Sequence, residues 1–167
     1  EYYVTRVELE IMASYARSML NFDEQAIHLI EFGSGSSQKV RHLLDTNKNI
    51  VAYTAIDISR EHLVESCARL SREYSDISVS AICADYTKEF NLPKLPFPKA
   101  RKVGYFPGSS IGNFLREEAV EFLKRAGELL GPNSQMLVGI DLKKDREVLE
   151  AAYNDSQGVT AEFNLNI

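Results

Sequence analysis

Ile27-His28-Leu29-Ile30-Glu31-Phe32-Gly33-Ser34-Gly35 is an apolar run that carries one acid and closes in a glycine turn. Residues 26–32 read as a buried strand, because the run is short, apolar and bounded by glycine. Ser36 or Ser37 can then cap a helix over 38–45, and a second apolar run, 50–58, carries Asp57 at its end. Strand, glycine turn, helix and acid-ended strand make one β-α-β unit. This is the arrangement by which α/β proteins hold the ribose of a nucleotide-like cofactor.

Upstream, Val7, Ile11, Met12, Tyr15, Ala16 and Met19 recur near the helical period and predict a helix over 4–22. Downstream, Ser59 begins a helix, Arg60–Glu73, and a third strand over 77–84 leads to Asp85. Residues 92–98 hold three of the five prolines and read as a loop. A fourth strand, 100–106, runs into Pro107-Gly108-Ser109-Ser110-Ile111-Gly112-Asn113. Gly131-Pro132 terminates a strongly patterned helix, Arg116–Leu130. A fifth strand over 135–140 precedes Asp141, and a further helix is expected over 145–154.

Five strands alternating with helices predict an α/β fold with a mostly parallel, doubly wound sheet. Ligands of such sheets sit outside the carboxyl ends of the strands. Gly33, Asp57, Asp85, Gly108 and Asp141 all fall there, which argues for a single site.

The 167 residues suit one domain, and 44% hydrophobic with 26% charged residues is ordinary for a soluble fold. A net charge of −5 without a Lys/Arg stripe gives no footprint for nucleic acid or anionic lipid, and no apolar run approaches a membrane span. Cys67 and Cys83 lack metal or redox spacing and are expected to be buried free thiols. With no signal peptide in view, a cytoplasmic location is expected. His28, His42 and His62 show no ligand spacing, so no metal is expected, nor a Ser/His/Asp set. The start at Glu1 and the end inside the alternating stretch 159–167 suggest a fragment of a larger protein.

Gly33 and Gly35 allow close backbone approach to a ligand. Gln38 stands where a dinucleotide fingerprint would want its third glycine, which disfavours a nicotinamide cofactor, and no P-loop pattern occurs. Glu31 and Asp57 suit a cofactor that is cationic near the turn and diol-bearing beyond it. Glu31 as an acceptor for loop amides and Asp57 as a cap for the next helix are the structural alternatives. Asp85 can accept from an adenine amine beside Tyr86, or stand as a solvated strand-end acid. Lys39, in a first helical turn where a cation is disfavoured, suits a ligand carboxylate or else solvent. Asn113 offers a donor and an acceptor near the reacting group, or caps the helix that follows.

Seven stretches together carry a resemblance: Tyr2-Tyr3-x-Thr5-Arg6, Glu31-Phe32-Gly33-Ser34-Gly35-Ser36-Ser37-x-Lys39, Ile56-Asp57-Ile58-Ser59, Ala84-Asp85-Tyr86, Phe106 to Asn113, Asp141-Leu142-x-Lys144-Asp145, and Gly158-Val159-Thr160-Ala161-x-Phe163-Asn164-Leu165-Asn166. The chain resembles the histidine-specific methyltransferase family over nearly its whole length. The resemblance implies a Rossmann-like class I methyltransferase fold, S-adenosylmethionine as cofactor, and methyl transfer to the α-amino nitrogen of L-histidine, up to trimethylation in the ergothioneine pathway. It further implies that Gly33, Lys39, Asp57, Asp85 and Tyr86 bind the cofactor. Tyr3 would meet the imidazole of histidine, while Asn113 and Tyr153 would hold its carboxylate. Tyr86 departs from the Phe of relatives.

By the same resemblance, residues 1–22 form the helical segment of the acceptor site and 23–167 the S-adenosylmethionine-binding domain. A substrate domain and two closing strands would lie beyond Ile167, so marginal stability of this stretch by itself is expected. No residue is assigned as acid or base, because a sulfonium methyl is already activated and orientation supplies most of the acceleration. The alternatives are methylation of another amino acid or an indole amine, and a non-catalytic S-adenosylmethionine-binding module. The intact Gly108-Ser109-Ser110-Ile111-Gly112-Asn113 run favours histidine.

Overall fold

A computed structural model describes residues 3–20, 25–147 and 150. Its elements are α1 (Tyr3–Met19), β1 (Ile27–Phe32), α2 (Gln38–Thr46), β2 (Ile50–Asp57), α3 (Arg60–Glu73), β3 (Ser78–Cys83), β4 (Arg101–Phe106), α4 (Arg116–Leu130) and β5 (Gln135–Val138). The five strands form one parallel sheet in the order β3-β2-β1-β4-β5. Central β1 is buried throughout, which is why its sequence is a continuous apolar run and not an alternation.

Side chains alternate between two cores. Leu29, Tyr53, Ala55, Val103 and Tyr105 point to the face covered by Met12, Ala16 and Leu20, by α2 through Val40, Leu43 and Leu44, and by α3 through Leu63 and Leu70. Ile30, Phe32, Ile56 and Phe106 point to the opposite face, where α4 lays Phe122, Ala126 and Leu130. The rings of Phe106 and Phe122 stand 4.7 Å apart, and Phe32 meets Phe122 edge-on at 5.5 Å. Two-sided burial of this kind is what a parallel sheet requires.

Local chemistry departs from expectation at the caps. Ser37 occupies the position before α2 in a left-handed conformation, and its hydroxyl accepts from Ser66 Oγ (3.0 Å) without capping the helix. Asn113 does not cap α4, because the helix begins after Leu115, whose N–H donates to Glu118 Oε2 (2.8 Å). Asn113 instead ends a single 3-10 turn, Ser110–Asn113, where only a loop was expected. Cys67 is buried as expected, but Cys83 is exposed, since β3 forms an edge of the sheet; both thiols are unbridged. Residues 146, 147 and 150 are helical, while the rest of the helix expected over 145–154 lies outside the described residues. Among the described residues no helix is long and apolar enough to cross a membrane.

Candidate functional site

The strand order makes β1 and β4 diverge: the chain leaves β1 toward β2 on one side and leaves β4 toward β5 on the other. A crevice opens between their carboxyl ends, the usual ligand position of such sheets. Gly33 leaves β1 with φ 74°, a left-handed value that a side chain would strain. Its N–H and that of Ser34 donate to the Ile56 carbonyl (2.9 and 3.1 Å), folding the turn back over β2. The Asp57 carboxylate fixes the turn from the other side, accepting from Gly35 N–H (3.0 Å) and from Ser59 N–H (2.9 Å). Asp57 thus joins the glycine turn to the start of α3.

Tyr86 stands beside the turn, its Cε1 3.4 Å from where a Cβ on Gly33 would lie. Its half-buried ring meets Phe106 and Phe122 edge-on at 5.5 and 5.8 Å, so the aromatic core extends up to the crevice. Burial first, then the charges of Asp57 and Asp85, push its hydroxyl pKa upward. Asp85 is held in a tight local turn. Its Oδ1 accepts from Thr87 Oγ1 (2.6 Å) and Thr87 N–H (2.9 Å), with Lys88 Nζ 3.2 Å from Oδ2. The Thr87 bonds, seconded by Lys88, hold its carboxyl below the ordinary value.

The centre of the crevice is built on an acid that sequence reasoning missed. Glu8, from α1, pairs with Lys39 Nζ at 2.5 Å, and both its oxygens accept from Gly108 N–H (2.9 and 3.0 Å). Gly139 completes the fit, because a Cβ there would overlap Glu8 Oε1. Lys39 is therefore neither a solvated surface lysine nor held by a ligand alone. A signal existed in the sequence: Glu8 extends the buried stripe Met12, Ala16, Leu20 by one helical step toward the N-terminus.

Glu31 also differs from expectation. Its carboxylate is buried and accepts from Tyr53 Oη at 2.5 Å, and the Gly33 and Ser34 amides, which the structural alternative would have given it, bond to the Ile56 carbonyl. Burial raises its pKa to about 8, against the opposing pull of the Tyr53 hydrogen bond and Lys39. His28 is a core histidine bonded to Thr54 Oγ1 (2.8 Å). Among the described residues no group of three or more His, Cys, Asp or Glu could hold a metal.

Asn113 presents an exposed amide at the end of the turn that follows Ser109, itself left-handed at φ 58°. Ser109 Oγ accepts from Asp141 N–H (2.9 Å), tying the loop after β4 to the chain after β5. An apolar cleft of about 340 Å³ lies alongside, lined by Val7, Ile11, Tyr105, Leu137 and Ile140, with Glu8, Asp141 and Lys144 among its polar lining. The side chain of Tyr3 and the whole of Tyr153 lie outside the described residues.

The sequence profile of a family described as histidine-specific, S-adenosylmethionine-dependent methyltransferases matches residues 1–167. The chain belongs to the histidine-specific methyltransferase family. Among its relatives, the histidine N-alpha-methyltransferase of Mycobacterium tuberculosis is 35% identical, the match covering 100% of this chain and 52% of that protein. Ergothioneine biosynthesis protein 1 of Neurospora crassa is 37% identical over 99% of this chain and 19% of its own length. The chain thus spans about half or less of these relatives. In fold, the S-adenosylmethionine-dependent methyltransferase SibL superposes with a TM-score of 0.61 at 14% identity, covering 90% of this chain and 42% of that one. Together with the five-stranded parallel sheet, this establishes the Rossmann-like class I methyltransferase fold.

The cofactor of this methyltransferase family fits the crevice. The glycine turn is flanked by the Tyr86 ring at Gly33 and by the Asp57 carboxylate at Gly35, an aromatic face and an acid suited to a nucleoside, and Ser34 within it carries a buried hydroxyl without a hydrogen-bond partner.

Proposed function

We propose that this chain is the S-adenosylmethionine-binding part of an N-methyltransferase acting on the α-amino nitrogen of L-histidine, with repeated transfer up to the trimethylated betaine. The observation that carries this reading is the convergence of the Gly33 turn, Asp57, Tyr86 and the Gly108–Asn113 run on the crevice between β1 and β4. In this reading Gly33, Lys39, Asp57, Asp85 and Tyr86 hold the cofactor, and Tyr3, Asn113 and Tyr153 hold histidine. Residues 1–22 serve the acceptor and 23–167 form the cofactor domain, with activity in a reducing compartment such as the cytoplasm.

The cofactor supplies a methyl group already activated by the sulfonium charge. The protein then has two tasks. The first is placement, which Asp57 and Tyr86 serve from the cofactor side and Asn113 from the acceptor side. The second is to receive the acceptor amine uncharged; an α-amino group has a pKa of about 8, so a modest shift from its surroundings is sufficient.

The test is mass spectrometry of the protein's products from S-adenosylmethionine and a mixture of free amino acids, beside an Asn113→Ala control. Gains of one to three methyl groups on histidine alone, lost in the control, are expected. Methylation of another amino acid or an indole amine would keep the reaction and overturn the substrate. Cofactor binding without any transfer would leave a binding module.

A further inference from the structure

We propose that Glu8 is a positioning residue for the cofactor: it holds the Lys39 ammonium and the Gly108 amide in fixed relation, so that the helix on the acceptor side sets the cofactor side of the crevice. The proposal rests on the reading above in which Lys39 meets the cofactor carboxylate. Lys39 stands in the first turn of α2, where the helix dipole disfavours a cation, and its side chain is only 19% exposed. A long, flexible side chain in that place needs a fixed anion to define its direction. Glu8 supplies it from another element at 2.5 Å, and is itself 14% exposed and held in register by Gly108 N–H.

An ammonium has three protons, so one bond to Glu8 leaves two for a ligand. The repulsion between Glu8 and a ligand carboxylate is offset by Lys39 and by the cationic groups of the ligand itself. Gly139 is the third component, since any side chain there would drive Glu8 away.

Calorimetric titration with S-adenosylhomocysteine tests the proposal without requiring turnover. Glu8→Gln keeps the shape and an acceptor for Gly108 but loses the charge on Lys39, and should weaken binding about tenfold, the scale of one charge-assisted hydrogen bond. Glu8→Asp should recover part of the loss. Lys39→Met should weaken binding at least as much, and the Glu8→Gln/Lys39→Met pair should bind no worse than Lys39→Met, because Glu8 acts through the lysine. Gly139→Ala should reproduce the Glu8→Gln loss with Glu8 chemically intact. In turnover, Glu8→Gln should raise KM for S-adenosylmethionine more than it lowers kcat.

Wild-type-like or tighter binding by Glu8→Gln would overturn the proposal, as would losses that multiply in the double variant. A wild-type protein that fails to bind S-adenosylhomocysteine would overturn the cofactor reading, and the role of Glu8 with it.

Discussion

Two buried titratable side chains of β1, Glu31 and His28, give the protein opposing pH dependences. Burial lifts the Glu31 carboxyl from 4.5 to about 8. Between those values the folded protein keeps a proton that the unfolded chain releases, so stability falls as pH rises. Burial, seconded by Lys102, lowers His28 from 6.5 to about 4. There the unfolded chain takes a proton that the folded protein refuses, so stability rises with pH. The two slopes oppose between 4.5 and 6.5, and above 6.5 only the Glu31 slope remains of the pair. The melting temperature should therefore decline from pH 6.5 to 8, and Glu31→Gln, which keeps a partner for Tyr53, should flatten that decline. An undiminished decline in the variant, followed by calorimetry, would assign the effect elsewhere. At the same scale, the proposed cofactor site would use the ring of Tyr86 more than its hydroxyl. Tyr86→Phe should leave S-adenosylhomocysteine affinity within about threefold, whereas Tyr86→Ala should lose about 1–3 kcal/mol, the worth of one base stacked on an aromatic ring.

At the scale of elements, α4 is the most exacting. Phe122 is 1% exposed and meets Phe32, Tyr86, Phe106 and Phe114. Phe122→Ala should cost about 3–5 kcal/mol in chemical denaturation, because these rings cannot close over the space. A loss below about 1 kcal/mol would mean that the face under α4 repacks. The bounds of α3 and α4 were legible residue for residue, since an amphipathic period and an unambiguous stop at Gly131-Pro132 leave little choice. Strands were found with ends displaced by one or two residues, because an apolar run continues past the last ladder hydrogen bond: Ile58 and Ile140 extend their runs yet stand 70% and 69% exposed. Tyr86 was read beside Asp85 and through the family resemblance, whereas the placement of Gly33, Asp57 and Asp85 was legible from the rule that parallel strands deliver ligand groups at their carboxyl ends. Glu8 was not, because its partners Lys39 and Gly108 come from different elements and only the folded sheet brings them together. The 3-10 turn before Asn113 escaped for a related reason: a run of small residues has no periodicity to read.

For the molecule as a whole, the crevice predicts linkage between ligand and fold. A ligand that binds only the folded state at a hundred times its Kd adds about 2.7 kcal/mol, worth roughly 5–10 °C in a domain of this size. S-adenosylhomocysteine should raise the melting temperature by that amount, and NADH should not, in keeping with Gln38 at the position of the third glycine. An equal shift with NADH would contradict the cofactor class.

The bond between Glu8 and Gly108 joins residues one hundred positions apart. The stretch between them runs from β1 through β4, and a contact of such range should form late, because the entropy of loop closure must be met first. The units β1-α2-β2 and β2-α3-β3 can pair locally as the chain emerges, each neighbour in sequence being a neighbour in the sheet. The ligand crevice should thus be completed late in folding. A ligand added during refolding would trap finished molecules without hastening their formation.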